Sequence, residues 1–316
     1  MKNTPYDDVF RTLLNDCSRL IIPIINETFH EGYSGNEEIV FFPNEHFLNQ
    51  KDGVEKERIT DTCFVVQGNI TKKYHWECQS TGDNRMMVRI FEYDTQIALD
   101  DADVTGDMLT VEFPNSAILY LRSDSKTPDI MKICIKTSGG EIIYEVPTLK
   151  VQSYSIQEIF DKQLLFLIPF YIFTHEGRLS EYDKDEHKLE ALLDEYEYIK
   201  NMLEKLCNNT VIDEFTKCTI IDMSNKVLEH LAGNHDKVKE GVKSVMGGKV
   251  LDYEAKRIKD EGISQGISQG ISQGISQGMM QGKMETLIGL VKDGLIPVEE
   301  AAKRLQKSVE EVKLLL

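Results

Sequence analysis

The sequence predicts an α/β protein: a mixed N-terminal half followed by an all-helical C-terminal half. Three observations carry this. Apolar residues fall at helical spacing from Phe10 to Phe29 and again over Asn84–Asp100. Between and after those helices lie short alternating or apolar runs bounded by turn residues, which read as strands. Beyond Tyr154 the pattern becomes almost wholly helical. The predicted order is helix, three strands, helix, strand, with an added hairpin.

Each element has its own justification. In YDDVFRTLLNDCSRLIIPIINETF, Pro23 should kink or divide the first helix. EEIVFFP (37–43) reads as a first strand, RITDTCFVVQG (58–68) as a second ending at a Gly68-Asn69 turn, and KKYHWECQS (72–80) as a third, antiparallel to the second. NRMMVRIFEYDTQIALD (84–100) is the second helix, SAILYL (116–121) a buried strand, and MKICIKTSGGEIIYEVP (131–147) a hairpin turning at Gly139-Gly140. SIQEIFDKQLLFLIPFYIF, KDEHKLEALLDEYEYIKNMLEKL and VIDEFTKCTIIDMSNKVLEHLA predict three long helices. Residues 246–262 lead into four perfect copies of Gly-Ile-Ser-Gln. The expected divisions are 1–152 (α/β core), 153–259 (helical), 260–283 (repeat) and 284–316 (tail).

Composition limits the function. The chain has 316 residues, 53 Asp and Glu against 36 Lys and Arg, and a formal net charge of -17. That charge opposes general attraction to nucleic acid, so activity on DNA has to arise from a local site. The longest apolar run, LLFLIPFYIF (164–173), is shorter than the roughly 18–20 residues of a membrane span and contains Pro169. No membrane partner and no signal peptide are expected. Six scattered cysteines show no zinc spacing and suit a reducing cytoplasm.

The residues able to carry chemistry sit on two neighbouring strands. Alternation puts His75, Glu77 and Gln79 on one face and Tyr74, Trp76 and Cys78 on the other. A hairpin would bring Asp61 beside Glu77, and two close carboxylates form a hard-oxygen site suited to Mg²⁺. On an open sheet face the same residues would only be solvated. On the helix at 84–100, Arg85, Arg89, Tyr93 and Gln96 share one stripe at i, i+4, i+8 and i+11, from which Arg89 and Tyr93 could meet a phosphate. Asp7 begins the first helix. It suits the helix dipole and is also a further carboxylate for a metal.

In this order, the pattern of Asp on the second strand and E-x-Q on the third resembles the PD-(D/E)XK nuclease superfamily. More narrowly, the chain is similar to the Rpn family of recombination-promoting nucleases, also labelled transposases. YDDVFRTLL, the Asp61 strand, WECQS, RIFEYDTQIA, KQLLFLIPFYIFTHE and GGKVLDYEAKRIKDEGISQG carry the resemblance, which covers nearly the whole chain. It implies a restriction-endonuclease-like core and Mg²⁺-dependent cleavage of DNA, with Mn²⁺ as the alternative ion. It assigns Asp61 and Glu77 as metal ligands, Asp7 as a further one, and Gln79 as a catalytic residue where the superfamily pattern has lysine. Arg85, Arg89 and Tyr93 are the expected contacts to phosphate. The chain departs from the pattern at Thr60, which replaces the proline before Asp61. His75 has no role in the family pattern and reads as a bystander on the sheet. The alternative is a nuclease-fold protein with weak or no catalysis, acting as an oligomeric interaction module.

The tail, GLIPVEEAAKRLQKSVEEVKLLL, predicts a helix-turn-helix-like pair, with Pro297 at a helix start and Ser308 and Glu311 as a capping box. Its second helix carries Glu310 and Glu311, which favours docking on protein over reading DNA. In a helix the repeat would lay a glycine stripe beside Ile263, Ile267, Ile271 and Ile275. Homodimerisation through this segment or the helical half is the expected assembly, with a flexible linker as the alternative reading of the repeat.

Overall fold

The structure is a computed structural model. It describes residues 5–41, 45–49, 55–59, 62–68, 70–80, 85–247, 287–292, 296–305 and 312. Asp61, Asn69, the repeat and most of residues 246–262 lie outside the described residues, as do Ser308 and Glu311. The chain divides into two units, Met1–Val250 and Leu251–Leu316.

The first unit is α/β, built on a mixed six-stranded sheet. Helix α1 (Pro5–Asp16) is followed by a short 3-10 turn and α2 (Ile21–Phe29). The division expected at Pro23 therefore comes earlier, at Ser18–Leu20. Pro23 sits in the first turn of α2, where a missing N–H costs no helical hydrogen bond.

The strands are β1 (Glu38–Phe41), β2 (Glu45–Asn49), β3 (Glu55–Ile59), β4 (Thr62–Gln67) and β5 (Lys72–Gln79). Helix α3 (Met86–Asp100) follows, then β6 (Asp103–Thr105), β7 (Met108–Thr110), β8 (Asn115–Tyr120), β9 (Ile130–Thr137) and β10 (Gly140–Lys150). The main sheet runs β1-β4-β5-β8-β10-β9. β1, β4 and β5 form an antiparallel meander, and α3 crosses over so that β8 joins β5 in parallel.

Three points correct the sequence reading. The run expected as one strand over 58–68 contributes to two, β3 and β4, and β3 pairs with β2 in a separate hairpin. β6 and β7 form a further exposed hairpin that the sequence reading lacked. The hairpin read as an appendage belongs to the sheet, because β10 pairs in parallel with β8. Its turn falls where expected, with Gly140 at φ +147°, a conformation that side chains rarely adopt.

Both faces of the sheet are covered. Tyr74, Trp76 and Cys78 of β5, Phe64 and Val66 of β4, and Ala117 and Leu119 of β8 pack into the large core with α1 and α2. On the opposite face α3 lays Met86 and Ile90 against Ile118, Tyr120 and Val146. The alternation predicted for β5 therefore holds, and His75, Glu77 and Gln79 lie on the α3 side.

The helical half contains α4 (Ile156–Asp161), α5 (Leu179–Tyr182), α6 (Glu186–Asn208), α7 (Glu214–Leu231) and α8 (Asp236–Met246). The first long helix expected there is absent. α4 ends at Asp161, Gln163 takes a left-handed φ of 58°, and Leu165–Arg178 follows as 3-10 turns. This segment is buried from Leu165 to Phe173 and packs against α7. Helix α8 was not anticipated.

In the second unit, residues 287–292 are helical and a second helix spans Val298–Leu305. Leu287, Ala301, Ala302 and Val312 form a small apolar cluster. Pro297 immediately precedes the second helix, as predicted.

Candidate functional site

Glu77 and Gln79 occupy the last turns of the β5 pleat, facing α3, and both are buried. β5 is central in the sheet, between β4 and β8, which explains why a carboxylate on this face has no access to bulk water. Glu77 is 2% exposed, so its charge needs partners. Arg89, one turn into α3, supplies one. Its Nη2 donates to Glu77 Oε2 at 3.0 Å and also to Gln79 Oε1 at 3.0 Å. Two oxygens from alternate residues of one strand therefore converge on a single cationic nitrogen. Met86 Sδ lies 3.4 Å from the same atom.

His75 supplies the second partner. Its Nε2 is 3.5 Å from Glu77 Oε1, an ion-pair distance longer than a good hydrogen bond. Its Nδ1 lies 2.7 Å from Asp94 Oδ1. Asp94 is fully buried in α3, and it also accepts from Ser116 Oγ at 2.7 Å and from the Tyr144 hydroxyl at 3.2 Å. Burial opposes charge on His75, but the hydrogen bonds and charges of Asp94 and Glu77 outweigh it and hold the imidazolium up to about 10. The sequence Asp94, His75, Glu77, Arg89 thus alternates negative and positive, and two of each sign balance inside the protein. Burial, with the Asp94 charge, raises the Tyr144 phenol well above its usual range and keeps it a donor.

Cys63 faces the same layer, paired across the hairpin with His75. Burial pushes its thiol up to about 12, which excludes a thiolate nucleophile there near neutral pH.

The other predicted residues are distributed as follows. Tyr93 is buried, its ring edge-on to His75 at 5.9 Å between centroids. Arg85 is exposed at the start of α3. Gln96 donates to Asp100 at 3.1 Å. Thr62 pairs with Trp76, the residue before Glu77, and its hydroxyl donates to the Trp76 carbonyl. Asp61 lies outside the described residues. Asp7 is half-buried in the first turn of α1, on the far face of the sheet from α3. Its neighbour Tyr6 lies under the Arg122 guanidinium, 5.9 Å away, and Arg122 in turn donates to the Ser80 carbonyl at 2.6 Å and clamps Glu176. The first turn of α1 is therefore tied to the end of β5 that carries Gln79.

Asp94, Ser116 and Tyr144 were missed by sequence reasoning. Asp94 had a signal: it is the single carboxylate among the buried residues Met86, Ile90, Tyr93, Asp94, Ile97 and Ala98 of α3. Ser116 and Tyr144 had none, since their roles depend on long-range strand pairing.

Among the described residues no three His, Cys, Asp or Glu side chains are grouped to hold a metal. No helix among them is long and apolar enough to cross a membrane. No protein-family model, curated protein or solved structure matches the chain.

Proposed function

We propose that this protein is a Mg²⁺-dependent DNA endonuclease of the PD-(D/E)XK type, related to the recombination-promoting nucleases. The observation that carries the reading is the convergence of Glu77 and Gln79 oxygens on one cation position, beneath a helix bearing Arg89 and Tyr93. An antiparallel meander joined by a helical crossover to a parallel strand supports it, since that is the order the superfamily resemblance implies.

Carboxylate and amide oxygens are the donors Mg²⁺ prefers, so Glu77 and Gln79 fit such an ion. Asp61 and Glu77 would hold it, with the Gln79 oxygen beside Glu77; Mn²⁺ suits the same donors. When bound, the ion would supply Lewis acidity to a phosphodiester and its attacking water. Gln79 would orient such a water without contributing charge. Arg85 at the surface, and Arg89 once freed from Glu77 and Gln79, would offer guanidinium groups to phosphate, and Tyr93 packs edge-on against His75 in the same layer. His75 and Asp94 hold Glu77 in place from behind.

One observation favours a second reading, a non-catalytic interaction module. The Glu77 charge is already balanced by Arg89 and His75 without a metal. Thermal unfolding with and without MgCl₂ separates the two. An ion bound only by the folded state raises the melting temperature, by about 2.7 kcal/mol of stabilisation at a hundredfold excess over Kd. A catalytic site gives such a shift in the wild type and loses it in Glu77→Ala; an interaction module gives none in either.

A further inference from the structure

We propose that Arg89 is the resident occupant of the cation seat formed by Glu77 and Gln79, and that a divalent ion binds by displacing its guanidinium. This inference rests on the functional reading above.

The geometry is specific. One nitrogen, Arg89 Nη2, satisfies both Glu77 Oε2 and Gln79 Oε1 at 3.0 Å, so the arginine and a metal ion would compete for the same two oxygens. The seat is well defined, because Glu77 and Gln79 project from a central strand and are each over nine-tenths buried. The occupant is less confined than its seat. The Arg89 side chain is 12% exposed against 3% for Glu77, and it arrives from α3 rather than from the sheet. An arginine stem of this kind lies along apolar surface while its head group moves to solvent. One helical turn away, Arg85 is already exposed. A displaced Arg89 would join it, giving two adjacent guanidinium groups at the surface of α3.

Two consequences follow. Without metal, the arginine keeps the buried carboxylate neutralised, which avoids the cost of an uncompensated charge. With metal, the same side chain is released towards the phosphate. Arg89 then couples ion binding to recognition of the nucleic-acid backbone, and the resting protein has weak affinity for both.

The test is the affinity for MgCl₂ alone, measured by titration calorimetry on the full chain without DNA. Arg89→Met removes the competitor and both of its hydrogen bonds to the seat, and should lower the Mg²⁺ Kd at least about tenfold, the factor that one charged hydrogen bond alone is worth. Arg89→Gln, which keeps a neutral donor for the site, should tighten binding in the same direction and serves if the methionine variant does not fold. Equal or weaker Mg²⁺ binding by the folded variant, with measurable binding by the wild type, overturns the displacement and leaves the nuclease reading standing. No Mg²⁺ binding by the wild type or either variant removes both.

Discussion

Asp94 is the residue on which the site's electrostatics turn. It accepts from His75, Ser116 and Tyr144, and it lies at the buried end of a chain of four alternating charges. Replacing it with alanine leaves the His75 charge, a hydroxyl and a phenol without their acceptor. Breaking one partner of a buried ionic pair costs about 3–5 kcal/mol. Asp94→Ala should therefore lose about that much stability by urea denaturation, and Asp94→Asn, which keeps a carbonyl acceptor, less. A loss under about 1 kcal/mol for the alanine variant would mean that the network does not hold this layer together. The face carrying Glu77 and Gln79 was legible in the sequence, because strand period two fixes it once β5 is recognised. The role of His75 was not. Its partner stands on another element, and a histidine on a sheet face looks the same in sequence whether it meets water or a buried carboxylate.

At the scale of elements, the fit between sequence and structure depends on periodicity. α3, α6 and α7 alternate polar and apolar residues at helical spacing and fall close to their expected bounds. The segment Leu165–Arg178 does not, because its first nine residues, Leu165–Phe173, are apolar on every side; a pattern without a polar face cannot distinguish an α-helix from successive 3-10 turns. Phe170, fully buried there, should cost about 3–5 kcal/mol as Phe170→Ala in the same denaturation experiment. The segment is tied to α6 by a polar cluster in which Tyr171 donates to Glu195 at 2.7 Å and His175 Nε2 lies 3.1 Å from the same oxygen. Burial raises the Glu195 carboxyl, but the hydrogen bonds from His175 and Tyr171 prevail and hold it below its ordinary value of 4.5. A depressed carboxylate contributes stability that is fully present above the unfolded value and is lost as pH falls through the folded one. The stability gap between wild type and Glu195→Gln should therefore be widest near neutral pH and close below about pH 4.5. A gap that widened on acidification would contradict the assignment. The parallel pairing of β8 with β10 escaped the sequence for a different reason: the register joins strands separated by a hairpin, and no local pattern records it.

At the scale of the whole molecule, a net charge of -17 opposes general attraction to nucleic acid, so under the proposed function affinity for DNA should be weak and salt-sensitive. The Gly-Ile-Ser-Gln repeat falls in the second of the two units, far in sequence from Glu77. If helical, the repeat would align its isoleucines and glycines in stripes suited to pairing with another copy of the chain. Deleting residues 262–278 should convert an oligomer to a smaller species in multi-angle light scattering, and an unchanged mass would assign the repeat to a spacer. Cleavage of supercoiled plasmid DNA by the purified chain tests the central claim most directly. Wild type should nick the plasmid with MgCl₂ and not with EDTA, while Asp61→Ala and Glu77→Ala, shown to be folded, should fall at least a hundredfold, roughly the loss when a key catalytic group is removed. Equal activity in all three proteins, or none in any of them, would contradict it.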